Sequence, residues 1–248
     1  MNIKILFLVL TIGLFSCKKA HERACFKGKG EESTLDVQIS KGIDSLMLYD
    51  DLYYTLIQGK ESKVILSGGE NLLEHVEILT ENGKLSIRNK NKCNFLRSFK
   101  NKIHVLIYVD SIRSIYYEGS SELKSQDTLF SNELRLTITD GAGNVELTLK
   151  NGYTSAMVTH GFGNFTLHGE TTSAYLSCST NSYCDTRYFN VTQSLFVNSN
   201  TVANMLINGN TSSLEAVINQ TGDVKYIGTP LSKTVKSFGK GKLIDLNN

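Results

Sequence analysis

A chain of 248 residues with 40% apolar and 20% charged side chains holds enough hydrophobic material for one large core, which excludes a disordered polymer. Its formal charge of +2 is small and dispersed, so nothing general points to nucleic acid as a partner. One proline, no tryptophan and short apolar runs separated by Ser, Thr, Asn and Gly exclude a helical bundle and read as strands joined by turns.

The chain opens with a polar start carrying Lys4, then an apolar run from Ile5 to Phe15 that is too short to span a bilayer as a mature helix. This is the pattern of a secretion signal. The run ends Leu14-Phe15-Ser16-Cys17, which resembles the bacterial lipobox, with Phe15 bulkier than the usual occupant. The alternative is an ordinary signal peptide with an incidental cysteine. The lipobox reading makes residues 1–16 a lipoprotein signal peptide and Cys17 the lipidated first residue. Its acyl chains would hold the protein to a membrane at about 0.8 kcal/mol per buried methylene. The expected address is the cell envelope, as an outer-membrane lipoprotein, and Lys18 and Lys19 assign neither face of that membrane.

Four cysteines remain, Cys25, Cys93, Cys178 and Cys184, an even number in a compartment that permits disulfides. Cys178 and Cys184 flank an expected turn and could pair, leaving Cys25 with Cys93; buried free thiols are the alternative. Their spacing does not match a zinc knuckle, and no histidine pair stands at ligand spacing nearby.

Residues 17–33 read as a flexible polar tether, and 34–248 as a single β-helix domain. Within it, 34–110 supply N-terminal strands: Leu35, Val37 and Ile39 alternate with polar residues, as do Leu46 and Leu48, Val64 and Leu66, Val76 and Ile78, Leu85 and Ile87, and Ile103 through Val109. Asn82-Gly83 between two such runs supplies a tight hairpin turn.

Residues 111–248 form regular coils. With corners placed near Ser121, Gly143, Gly163, Asn181, Thr201, Gly222 and Gly241, the intervals are 22, 20, 18, 20, 21 and 19 residues, the period of a solenoid. Alternating runs precede each corner (Leu134, Leu136, Ile138; Ala156, Val158; Ala174, Leu176, Cys178; Leu195, Val197; Leu214, Ala216, Ile218). Others follow it (Val145, Leu147, Leu149; Phe165, Leu167; Tyr183; Ala203, Met205, Ile207; Val224, Tyr226). Each coil thus offers two short faces to one interior, and coils stacked about 4.8 Å apart bury a continuous core. The glycine pairs in TDGAGN and THGFGN are followed by strands, not helices, so they are corners rather than phosphate loops.

Laid out in this way, the chain resembles a bacterial family known as putative auto-transporter adhesin, head GIN domain. The likeness is carried by LYYTLIQGKESKVILSGGENLLEHVEILTENGKLSIRN, by IHVLIYVDSIRSIYYEGSSEL and by GDVKYIGTPLSKTVKSFGKGKL, with Gly222, Tyr226, Gly228, Pro230, Gly239 and Gly241 at the expected places. It covers most of the mature chain and is distributed rather than centred on one site. Asp110 stands where the family often has proline, and the corners at Asn181 and Thr201 lack its glycines. The resemblance implies an all-β, right-handed parallel β-helix with an irregular N-terminal β cap, a surface or envelope role, no catalytic residues and no cofactor.

Candidate chemistry is sparse. His160 and His168 flank one corner and could face each other, but no third ligand accompanies them. Asp140, Asp185 and Asp223 stand near corners and could line one edge, as a polysaccharide-cutting β-helix would require; aspartate is equally a routine turn residue. The basic run Arg88 to Lys102, with Phe95 and Phe99, is either a loop for anionic glycan or lipid headgroups or a solvated insertion. The sequons at Asn164, Asn190, Asn210 and Asn219 read as turn and ladder residues. The expectation is therefore a non-enzymatic, membrane-anchored envelope lipoprotein that binds a glycan or protein surface through outward residues such as Tyr175 and Phe196. The alternatives are a carbohydrate-active enzyme on the same scaffold and a structural or assembly component in which homo-oligomers form. No metal and no nucleic acid are expected.

Overall fold

The computed structural model describes residues 28–92 and 101–247. It is a parallel β-helix of about seven turns with a different arrangement at its N-terminal end. The strands are β1 (Glu32–Gln38), β2 (Ser45–Asp50), β3 (Tyr53–Gln58), β4 (Lys63–Gly69), β5 (Val76–Glu81), β6 (Lys84–Asn89), β7 (His104–Val109), β8 (Ser114–Gly119) and β9 (Glu122–Ser125). They continue as β10 (Leu129–Ile138), β11 (Asn144–Val158), β12 (Asn164–Thr180), β13 (Cys184–Thr201), β14 (Met205–Asn208), β15 (Ser213–Ile218), β16 (Val224–Ile227), β17 (Ser232–Ser237) and β18 (Leu243–Asp245). A single helical turn, α1 (Glu70–Leu73), follows β4 and buries Leu72 and Leu73.

All strands belong to one continuous sheet wound on itself. On the first side the order is β5, β6, β2, β8, then the final segments of β10 to β13, then β15 and β17. The second side runs β1, β4, β7, β3, β9, the opening segments of β11 to β13, then β14, β16 and β18. The middle segments of β10 to β13 turn the intervening corner without breaking the ladder, which makes a short third side where Leu129, Leu149 and Gly169 stand in register.

The core follows the alternation. Leu134, Leu136 and Ile138, with Ala156, Val158, Ala174, Leu176, Leu195, Val197, Leu214, Ala216 and Ile218, form buried columns on one side. Val145, Leu147, Phe165, Met205, Ile207 and Val224 form the other. Each such side chain, fully withdrawn from water, contributes about 1.5 to 3 kcal/mol. At one position the expected register is wrong. Tyr183 is exposed and Cys184 takes the inward place in register with Phe165 and Met205.

The corners explain the period. A Cβ on Gly141 would lie 2.3 Å from the carbonyl oxygen of Gly119, and one on Gly143 would lie 2.2 Å from that of Ser121, so adjoining coils approach through bare backbone. Where glycine is missing, side chains do the work. At the Thr201 corner the hydroxyl donates to Ser182 O (2.6 Å) and accepts from Ala203 N (3.1 Å). Asn164, Asn204, Asp223 and Asn210 each use a side-chain oxygen to accept the amide of the residue 19 positions later, at 2.9, 3.1, 3.0 and 2.9 Å. A side chain on one coil thereby clasps the backbone of the next.

The N-terminal region departs from serial winding, as an irregular cap. The coil made by β2 and β3 is sandwiched: β6 and β7 lie on one flank in parallel register, β8 and β9 on the other. Beyond them β4 runs antiparallel to β7, β1 antiparallel to β4, and β5 antiparallel to β6. The β5–β6 hairpin turns through Asn82 and Gly83, both at positive φ (49° and 77°), as the sequence requires. β1 starts at Glu32, inside the segment expected as tether, and Leu35 is exposed because β1 is the outermost strand of its side.

Candidate functional site

The residues singled out from the sequence fall into separate places. Asp140 Oδ1 meets His160 Nδ1 at 2.5 Å on an exposed corner. His168 lies on the second side, with Nε2 3.2 Å from Glu146 Oε1 and its ring stacked on Tyr188. The two histidines therefore serve different partners and do not face each other. Among the described residues no three potential metal ligands cluster.

Asp185 is held by Arg187, whose Nη2 and Nε donate at 2.6 and 3.0 Å, and this guanidinium holds its carboxyl below the usual carboxylate range. Asp223 caps the amide of Lys242. Asp140 and Asp185 stand two coils apart, and Asp185 and Asp223 another two, or about 10 Å along the axis for each interval. The three aspartates thus form no pair of the kind that flanks a glycosidic bond.

Of the two alternatives for Cys178 and Cys184, a bridge or free thiols, the structure has the second: both are free and wholly buried. They occupy inward positions on either side of the turn, with the Cys184 thiol against Cys178, and burial pushes the Cys184 thiol well up. Hydrogen bonds hold that turn instead, with the Ser182 hydroxyl accepting from Ser179 N (3.0 Å) and donating to Ser179 O (2.6 Å). Cys17, Cys25, Cys93, Phe95 and Phe99 lie outside the described residues. The flanks of the basic run pack onto tyrosines: the Arg88 guanidinium lies 3.5 Å from the centroid of Tyr49, and Lys102 Nζ lies 4.5 Å from that of Tyr53.

What the structure does bring together is on the outward face of the first side. Tyr175 and Phe196 are neighbours in register on β12 and β13, and their rings stack at 5.5 Å with planes 8° apart. Beside them Tyr153, Ser173, Ser194 and Ser213 form one column across four coils. The wall of rings and the floor of serines enclose a trough of about 340 Å³ whose far end is Glu215. The amide of Asn198 reaches the Tyr175 hydroxyl (3.3 Å), and the Asn219 amide donates to Asn198 Oδ1 (3.1 Å) and Asn200 Oδ1 (2.7 Å). Around the corner, Lys150 and Glu170, paired at 2.8 Å, border a second hollow of about 440 Å³ with Asn151, Thr171, Thr172 and Thr192.

The sequence pointed to Tyr175 and Phe196 but not to the serine column. A signal was present: Ser173, Ser194, Ser213 and Ser232 recur at intervals of 21, 19 and 19, the coil period itself. It was silent because serine also stands at many other positions along this chain.

The family model described as putative auto-transporter adhesin, head GIN domain, matches residues 44–230. A putative adhesin from Bacteroides fragilis superimposes with a TM-score of 0.75 at 18% identity, covering 88% of this chain and 99% of that one. One from Parabacteroides distasonis gives 0.63 at 16% identity, covering 88% and 98%. A putative lipid binding protein from the same species gives 0.61 at 15%, covering 87% and 97%. At these identities the likeness carries the fold. No curated protein matches the sequence.

Proposed function

Because the chain belongs to the family of the putative auto-transporter adhesin, head GIN domain, we propose that it is a non-enzymatic, lipid-anchored envelope protein that binds another surface. The adhesin-like character comes from the family, and it supports the cell surface or envelope as the address. The anchoring at Cys17, the outer membrane as its location and the absence of catalysis are our own reading. The observation that carries it is the outward face of the first side, a rigid array of hydroxyls, amides and aromatic rings. What supports the anchor is the Leu14-Phe15-Ser16-Cys17 motif at the end of the apolar run. Among the described residues no helix is long and apolar enough to cross a membrane.

Feeding producing bacteria a labelled fatty acid tests the anchor: the wild-type chain takes up label, and Cys17→Ser does not. Binding of cells with and without the gene to host or neighbouring-cell surfaces tests the role, and equal binding would defeat it. Against end-to-end assembly stands the polar contact of Lys233, Tyr226 and Asp245 at the end of the stack, and a scattering mass that does not rise with concentration is the expected result.

A further inference from the structure

We infer that the trough between the Tyr175–Phe196 wall and the Ser173–Ser194–Ser213 floor is a subsite for an uncharged oligosaccharide. This rests on the surface-binding reading above and names the ligand class and place.

An extended peptide that binds by strand addition needs a free sheet edge. Here the trough lies on the face of a continuous sheet: β12 is hydrogen-bonded to β11 and β13, β13 to β15, and β15 to β17. No backbone donor or acceptor is offered, and recognition must come from side chains. An amphipathic helix needs an apolar floor, whereas this floor is serine, with Ser194 and Ser213 exposed. An anionic ligand needs an uncommitted cation. Two cations of this face are engaged: Lys236 Nζ sits 3.3 Å from Glu215 Oε1, and Arg135 Nη2 sits 3.3 Å from Glu133 Oε2.

The remaining chemistry is that of a neutral sugar. Its hydroxyls need groups that both donate and accept, which the serine hydroxyls and the Tyr175 hydroxyl provide at the coil spacing of about 4.8 Å. Its C–H surfaces need an apolar wall, which two stacked rings provide at little cost in conformational entropy, since packing on one another and on the ladder already fixes them. The Asn198–Asn219 network orients the Tyr175 hydroxyl from behind, so the wall is preorganised. Glu215, at the end, is an acceptor for a further hydroxyl. The three-serine floor spans two coil spacings, about 10 Å, so the subsite accommodates a short run of sugar units rather than one.

The test uses the purified mature chain, screened against an array of neutral, sulfated and sialylated oligosaccharides and then titrated calorimetrically with the best binder. Ser194→Trp fills the trough from an exposed position and leaves the core untouched; Ser213→Trp repeats this one coil on, and Tyr175→Ala removes half the wall. Each is expected to weaken binding about tenfold or more, while Tyr188→Ala, an exposed ring on the second side, leaves it unchanged. Melting temperatures of the variants serve as the folding control. Binding that survives both tryptophans, an equal loss in Tyr188→Ala, or binding confined to sulfated or sialylated glycans would overturn the assignment. So would no neutral glycan bound up to about 1 mM. In that last case persistence of cell-surface binding leaves the adhesin reading standing, and its loss as well would take down both.

Discussion

The two ends of the solenoid solve the same problem by opposite means. At the N-terminal end the core is covered by a change of strand direction: β4 and β5 run antiparallel to the coils, β1 turns back antiparallel to β4, α1 tucks Leu72 and Leu73 inward, and Leu85, Ile87, Val105 and Ile107 are wholly buried beneath. At the C-terminal end no described strand or helix is laid over the last coil. Instead some of the inward columns change character: Leu195 and Leu214 are followed in register by Lys233, and Ile207 and Tyr226 by Asp245, while Ala216 and Val224 are followed by Val235 and Leu243. Lys233 Nζ donates to the Tyr226 hydroxyl (2.8 Å), which donates to Asp245 Oδ2 (3.0 Å), so a polar clasp crosses the end of the core. One end hides its apolar ladder and the other interrupts it with polar side chains. A coil stack presents an apolar cross-section and unpaired strands to any copy that meets it, and both devices address that hazard.

The largest effect on this contrast should come from Ile87→Ala. Ile87 is wholly buried in the capped end, and the truncation is expected to cost about 2 to 5 kcal/mol, read as a lowered urea midpoint. The matching change at the open end, Val235→Ala, removes a half-exposed side chain and should cost less than about 1 kcal/mol. Equal losses would erase the distinction. Next comes Tyr54→Phe: its buried hydroxyl donates to Tyr49 O (2.8 Å) and accepts from Tyr49 N (3.2 Å), so deletion should cost about 1 to 3 kcal/mol by leaving both without this partner.

Lys233→Leu extends the aliphatic column to the end of the stack. Little change in melting is expected, but light scattering should show a mass that rises with concentration, and a constant monomer would show the clasp to be unnecessary. The smallest effect is acid fraying. The Asn247 amide, then the Tyr226 hydroxyl, the Asn247 side chain and Lys233, hold the Asp245 carboxyl below its ordinary value. Because the folded pKa is depressed, the contribution is complete above the unfolded value of about 3.9 and fades as pH falls through the folded one. Amides of β17 and β18 should therefore exchange faster below about pH 4 before those of β6 and β7 respond. Simultaneous exchange would contradict the scheme.

Much of the C-terminal stack was legible because its signal is local and repeated: each coil carries alternating aliphatic residues, and a missing glycine at Thr201 shifts the corner hardly at all. The register slip at Tyr183 has the same origin. An aromatic residue outweighed the neighbouring cysteine in the pattern, while the ladder through Phe165 and Met205 settled the matter for Cys184. The cap was legible only as strands. Nothing in the spacing tells that β6 and β7 pass β2 and β3 on the far side, because that order is set by pairings between residues some forty to fifty positions apart, such as Leu46 with Leu85 and Tyr54 with Val105. Of the candidate site, the rings were visible and the trough was not, since a groove is a relation among neighbouring coils that no single coil displays.

The sandwiched position of β2 and β3 also bears on how the molecule is assembled. That first-made coil is a template with two growing edges, one extended by β8 and β9 and everything after them, the other waiting for β6 and β7. Growth toward the C-terminus adds rungs in the order of synthesis, each with a short loop to close. The opposite edge needs a doubling back of the chain, with a greater loss of loop entropy. The seed of the molecule is therefore internal, and whole rungs removed between β11 and β15 should shorten the rod without disturbing its nucleus.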